Sequence, residues 1–134
     1  MNSAKVKFTA FLTGLILILL SCEKEVPTVI TTEITGIADY FATSGGTVTD
    51  EGSGPVIERG VCWNSTGYPT IDDDRTIDGN GTGVFTSYIY SLTPESIYYV
   101  RAYATNSIGT GYGESLCFQT TLPIGDPSNP LLFK

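Results

Sequence analysis

Carboxylates are the most concentrated reactive groups in this sequence, where Asp72-Asp73-Asp74 is followed by Asp78-Gly79-Asn80-Gly81. Clustered carboxylate and carbonyl oxygens suit a hard cation such as calcium, which makes Asp72, Asp74 and Asp78 the candidate metal ligands. Their spacing does not complete an EF-hand loop. Counted from Asp74, Gly79 falls on the sixth position, but Phe85 occupies the twelfth, where a Glu is needed. The preferred reading is therefore no metal and a solvated loop with an Asp-Gly-Asn-Gly turn, whose residues accept positive φ. Histidine is absent from all 134 residues, so neither a histidine base nor a histidine ligand exists. Behind residue 21 the only lysines are Lys24 and Lys134, which removes serine-histidine and serine-lysine chemistry. With 14 acids present, a carboxylate pair of the glycosidase kind survives the counting, and a carboxylate-based hydrolase stands as an alternative. No catalytic residue and no cofactor is assigned.

Tyr99, Arg101 and Tyr103 alternate along one run, with Tyr88 and Tyr90 on another. Tyrosine and arginine bring large contact area and a polar tip, so Tyr99, Arg101 and Tyr103 form the candidate binding face for a protein or glycan. Plain β-propensity on a half-exposed sheet is the competing explanation. Seven basic against 14 acidic residues give a formal charge of -7, which disfavours a partner held through nucleic-acid phosphates.

The elements positioning these groups are strands. A chain of 134 residues holds one ordinary domain, and runs of Val, Ile, Thr, Tyr and Phe alternate in period two between Gly, Asp, Asn, Ser and Pro clusters. The pattern predicts strands at Val29–Ile37, Phe41–Thr49, Val56–Trp63, a short one near Thr76, Gly83–Tyr90, Ile97–Thr105 and Gly113–Thr120. That makes an all-β sandwich of seven strands. The predicted core is Ile34, Ile37, Val48, Val61, Trp63, Phe85, Ile89, Leu92, Tyr98, Val100, Ala102, Leu116 and Phe118.

The segment from Leu92-Thr93-Pro94 through Tyr98 to Asn106 resembles the corner between the fifth and sixth strands of fibronectin type III domains. On that resemblance Leu92, Pro94 and Tyr98 are the structural corner, with the Tyr98 hydroxyl bonding back to the backbone. Ser44-Gly45-Gly46-Thr47-Val48, Glu58-Arg59-Gly60-Val61-Cys62-Trp63 and the turn Asn106 to Gly113 extend the likeness across Val29 to Thr121. Together they resemble the fibronectin-type-III-like repeats of Bacteroidota lipoproteins. The resemblance implies a seven-stranded fibronectin type III or immunoglobulin-like sandwich, and implies no particular activity. It also places the strands of Cys62 and Cys117 on either side of the sixth, two steps of about 4.8 Å apart. Bridged Cα atoms seldom exceed about 6.8 Å, so free thiols are expected.

At the start, Lys5 and Lys7 precede a 13-residue apolar stretch from Phe8 to Leu20, the layout of a secretory leader. A helix rising about 1.5 Å per residue over that length falls short of the roughly 30 Å hydrocarbon core. Leu19-Leu20-Ser21-Cys22 then resembles the lipobox of bacterial lipoproteins, which makes Cys22 the lipidation site. Acyl chains contribute about 0.8 kcal/mol per buried CH₂, so several on one cysteine hold a protein to a membrane. Cys22-Glu23-Lys24-Glu25 resembles the surface-export signal of Bacteroidota lipoproteins. The expected organisation is a signal peptide at 1–21, an anchor and spacer at 22–28 that lifts the domain off the lipid, the sandwich at 29–121, and a Pro-rich tail at 122–134. That tail ends in Leu131-Leu132-Phe133-Lys134, which fits a shortened member of a family that often continues into further domains. Loss of Lys5 and Lys7 leaves 5 basic against 14 acidic residues, a charge of -9. The expected function is a non-catalytic, lipid-anchored outer-membrane protein on the cell surface, whose sandwich serves binding, adhesion or spacing. Its partners would be the membrane, through Cys22, and a protein or glycan; an accessory role in carbohydrate processing is the other alternative.

Overall fold

The structure is a computed structural model that describes residues 23–128; Cys22, the leader before it and residues 129–134 lie outside them. Eight strands follow in order: β1 Thr28–Thr31, β2 Ala42–Asp50, β3 Glu58–Asn64, β4 Asp74–Arg75, β5 Gly83–Ile89, β6 Ile97–Thr105, β7 Thr110–Tyr112 and β8 Leu116–Gln119. They form two antiparallel sheets, β1-β2-β5 and β4-β3-β6-β7, with β8 also paired to β6. The molecule is an all-β sandwich, and no helix occurs among the described residues.

Strong alternation decides where each strand faces. In β5, Phe85, Ser87 and Ile89 are buried while Val84, Thr86 and Tyr88 are exposed, the period of two expected of a sheet with one wet side. The core joins Val29, Ala42, Val48, Val56, Val61, Phe85, Ile89, Leu92, Val100, Ala102, Ala104 and Phe118, with Ile34, Trp63, Tyr98 and Leu116 packed at its margin. Fully burying a side chain such as Val61 or Val100 contributes about 1.5–3 kcal/mol.

Three expectations change. First, β1 ends at Thr31, beyond which only Thr35 bridges to Thr43. Gly36 then turns at φ 56, a conformation that interrupts a strand, and Ile37 is exposed rather than in the core. Second, the last predicted strand divides into β7 and β8. Tyr103 pairs with Tyr112 and Val100 with Leu116, so Gly113, Glu114 and Ser115 oppose only Arg101 and Ala102, the extra residue of a β-bulge. Thr31 fills the gap: its hydroxyl accepts from the Ala102 amide at 3.0 Å and donates to the Glu114 carbonyl at 2.7 Å.

Third, the expected spacer is bound to the domain from Glu25 onward. The Glu25 amide donates to Ser53 Oγ at 2.8 Å, and the Glu25 carbonyl accepts from the Ser53 amide at 3.0 Å and from Asn106 Nδ2 at 3.0 Å. Pro27 is buried. Gly111 makes room for it, since a Cβ there would lie 1.8 Å from the Pro27 carbonyl oxygen. Extended backbone with unmet amides and carbonyls is stabilised by such pairing, so this segment joins the fold instead of hanging free.

Candidate functional site

The acids of the loop differ in what they contact. Asp78 turns inward, where its Oδ2 accepts from Thr76 Oγ1 and from Ser87 Oγ, each at 2.5 Å. Ser87 is fully buried, so this carboxylate gives hydroxyls between the sheets an acceptor. Asp72 and Asp74 are exposed, Asp74 lying in β4 opposite Trp63. Among the described residues no three Cys, His, Asp or Glu side chains group to hold a metal ion, and Asp72, Asp74 and Asp78 are not brought together. The structural acid of the run is Asp73, which the sequence did not single out. Its Oδ2 accepts from the Thr70 amide at 2.8 Å and Asn64 Nδ2 at 3.2 Å, while Asn64 Oδ1 accepts from the Gly67 amide at 2.8 Å. These bonds shape the loop between β3 and β4. Beside it, Trp63, Asn64, Asp72, Asp74 and Tyr98 line a shallow hollow of about 410 Å³.

That loop covers the predicted binding face. Arg101 Nε donates to the Pro69 carbonyl at 2.5 Å, its guanidinium lies 4.0 Å from the Tyr112 ring centre, and the Tyr112 hydroxyl accepts from the Ile71 amide at 3.1 Å. Tyr103 is completely buried, its hydroxyl 2.7 Å from Glu58 Oε1 and 2.6 Å from the Thr76 carbonyl oxygen. Burial, then the Glu58 carboxylate, pushes its phenol well above the usual tyrosine range. Tyr99 is half-buried. Period two correctly separates Tyr99, Arg101 and Tyr103 from the inner face. It cannot report that a loop folds back over them, and with Tyr103 sealed off these three do not form an open surface.

At the corner, the Thr93 amide donates to the Tyr98 hydroxyl at 3.0 Å, and the Tyr98 ring stacks on Phe118 with centres 5.9 Å apart. Leu92 is buried, and the Pro94 carbonyl accepts from Ser96 Oγ at 2.9 Å. Glu95 between them adopts φ 51. Cys62 and Cys117 are free thiols on strands that flank β6, opposite Arg101 and Tyr99 respectively. Burial pushes the Cys62 thiol up to about 11, so it is protonated and inert at neutral pH.

The open aromatic surface lies on the other sheet. Val84, Tyr88 and Tyr90 are exposed along β5 and its extension, the two tyrosine ring centres 6.5 Å apart and the rings inclined at 27°. Across the sheet, Val84 pairs with Thr47, and Thr47 with the exposed Ile30. The alternation Val84, Thr86, Tyr88, Tyr90 was the signal for it. Arg59, also unassigned from sequence, closes the edge beside this sheet. It donates to the carbonyls of Asp78, Gly81 and Thr82 at 3.1, 3.2 and 2.8 Å, with its guanidinium 5.4 Å from the Phe85 ring centre.

No family model matches the chain, and no curated protein matches it. Solved structures do. The sensor domain of the anti-sigma factor RsgI4 of Pseudobacteroides cellulosolvens superposes with a TM-score of 0.52 at 14% identity, covering 72% of this chain and 76% of that one. The fibronectin type-III domain of human fibronectin type III domain containing protein 3 gives a TM-score of 0.52 at 16% identity, over 81% of this chain and 99% of that one. Domains FN1–FN3 of chicken CNTN1 give a TM-score of 0.55 at 16% identity, over 75% of this chain and 33% of that one. At these identities the likeness is one of fold: the chain is a β-sandwich similar in fold to fibronectin type III domains.

Proposed function

We propose that this protein is a non-catalytic binding module held at the bacterial envelope by acyl chains on Cys22. The lipobox-like Leu19-Leu20-Ser21-Cys22 supports the anchor, and its charged sequel supports display at the cell surface. Support for binding without catalysis comes from how polar groups are used. Asp73, Asp78, Glu58, Arg59, Arg101 and Tyr103 all hold loops or strands in place. The observation that carries the reading is the exposed row of Ile30, Val84, Tyr88 and Tyr90 on the β1-β2-β5 side of the sandwich, aromatic area of the kind that recognition surfaces use. A glycan or protein partner would dock there rather than on Tyr99, Arg101 and Tyr103. The test is an array of glycans and peptides probed with the domain and with Tyr88→Ala/Tyr90→Ala. Saturable binding that the double variant loses without losing stability is expected; turnover of any array member would refute a non-catalytic role. Labelling with a palmitate analogue in a bacterial host should mark the parent chain and spare Cys22→Ser.

Spacing is a second reading with its own support. The segment at Glu25 is bound beside Ser53 and Asn106 at one end of the sandwich, whereas the Thr121 amide donates to the Ala38 carbonyl at the other. Chain entry and exit at opposite ends suit a domain that separates what lies on either side.

A further inference from the structure

The bound stem fixes more than the fold. Glu25 is held at both its amide and its carbonyl, and Asn106 Nδ2 also donates to the Glu51 carbonyl at 2.9 Å, tying the stem to the loop between β2 and β3. Gly52 leaves space for it: at φ 71, a Cβ would lie 2.4 Å from the Glu25 carbonyl oxygen. Only Glu23 and Lys24 separate Cys22 from this fixed point. At no more than about 3.6 Å per residue, the three-residue step from Cys22 to Glu25 reaches roughly 11 Å; one headgroup layer takes up about 5–7.5 Å of it, so only a few ångström of gap remain between lipid and domain.

The same end carries exposed apolar side chains. Val26 is 41% exposed, Ile57 64% and Ile108 37%. Two of its acids are turned toward the protein's own backbone, Glu51 Oε2 accepting from the Val56 amide at 2.5 Å and Asp50 Oδ1 from the Gly52 amide at 2.7 Å, while Glu23 and Glu25 are exposed beside the attachment point. Apolar tips beside a lipid attachment point favour the interface between headgroups and acyl chains.

We propose that the anchored domain stands end-on against the lipid headgroups, with Val26, Ile57 and Ile108 facing the bilayer, and does not swing on a free tether. This rests on lipidation of Cys22. The opposite end, with the Tyr98 corner and the hollow beside Trp63, then points away from the membrane.

The test uses the full chain, processed in a bacterial host and reconstituted in phosphatidylethanolamine/phosphatidylglycerol vesicles. In a Cys117→Ser background, single fluorophores are attached at Ile57→Cys, Ile108→Cys and Ile97→Cys, the last on the exposed start of β6 at the far end. Buried Cys62 stays unlabelled. Quenching by nitroxide-headgroup lipid is expected to be at least threefold stronger at 57 and 108 than at 97. Equal quenching at all three sites in a vesicle-bound protein would overturn the orientation while leaving the anchor standing. Positions 57 and 108 shielded from aqueous iodide yet unquenched by the lipid would overturn it in favour of contact between copies. A parent chain that gains no acyl mass and stays off the vesicles would refute lipidation itself, and the orientation with it.

Discussion

Tyr98 serves the corner in two ways that substitutions can separate. Its ring fills the margin of the core against Phe118, and its hydroxyl satisfies the Thr93 amide. Tyr98→Phe removes only the second and should cost about 1 kcal/mol, the net value of one hydrogen bond. Tyr98→Ala removes both and should cost on the order of 3 kcal/mol or more. Urea denaturation of the two variants checks the difference, and equal losses would place the whole effect in the hydroxyl. Tyr103 gives a pH signature instead. Its phenol is raised above the ordinary 10.0, chiefly by burial, so the folded state holds that proton while the unfolded chain releases it. Its contribution is fully present below pH 10.0 and declines as pH rises from there toward the folded value. Cys62 acts with the same sign between 9.0 and about 11, so the measurement is a comparison. Thermal melts of Tyr103→Phe and parent should differ most near neutrality and converge at alkaline pH.

At the scale of elements, Arg59 is the part whose role rests on the shape of one side chain. Three carbonyls of the segment from Asp78 to Thr82 accept from its guanidinium. Lysine keeps the charge but loses the planar fork. Arg59→Lys should therefore cost about 1.5–3 kcal/mol, the range for hydrogen bonds to a charged group, and speed hydrogen exchange at Gly81. Loss confined to Arg59→Ala would mean that charge alone holds the segment. The same elements show what alternation could and could not disclose. Strands β2, β3, β5 and β6 were legible because one of their faces is buried, so sequence period and burial coincide. The bulge at Gly113 to Ser115 was not, because it depends on Thr31 meeting Ala102 across the sandwich. For the same reason, Tyr103 looked like an open residue. Its cover is Glu58 and Thr76, brought to it by chain reversal rather than by neighbours in sequence.

For the molecule as a whole, the strands do not mark where the stable unit begins and ends. Before β1, Glu25 exchanges hydrogen bonds with Ser53 and accepts one from Asn106. After β8, Thr120 Oγ1 accepts from the Ser96 amide at 2.9 Å and donates to the Thr93 carbonyl at 2.6 Å, and the Thr121 carbonyl accepts from the Glu95 amide at 3.3 Å. Both ends thus close loops at opposite poles of the sandwich. Each bond contributes about 0.5–1.5 kcal/mol net, against a total stability of about 5–15 kcal/mol for a domain. A chain trimmed to the strands, residues 28–119, loses both sets and should be less stable than residues 23–122 by about 3 kcal/mol or more. The loss should divide between the two ends when each is trimmed alone, because the poles share no partner and distant changes add. Urea denaturation of the four chains decides it. If trimming the N-terminal side alone left stability unchanged, the stem would be a passive tether, and the fixed stance at the membrane would lose its structural basis.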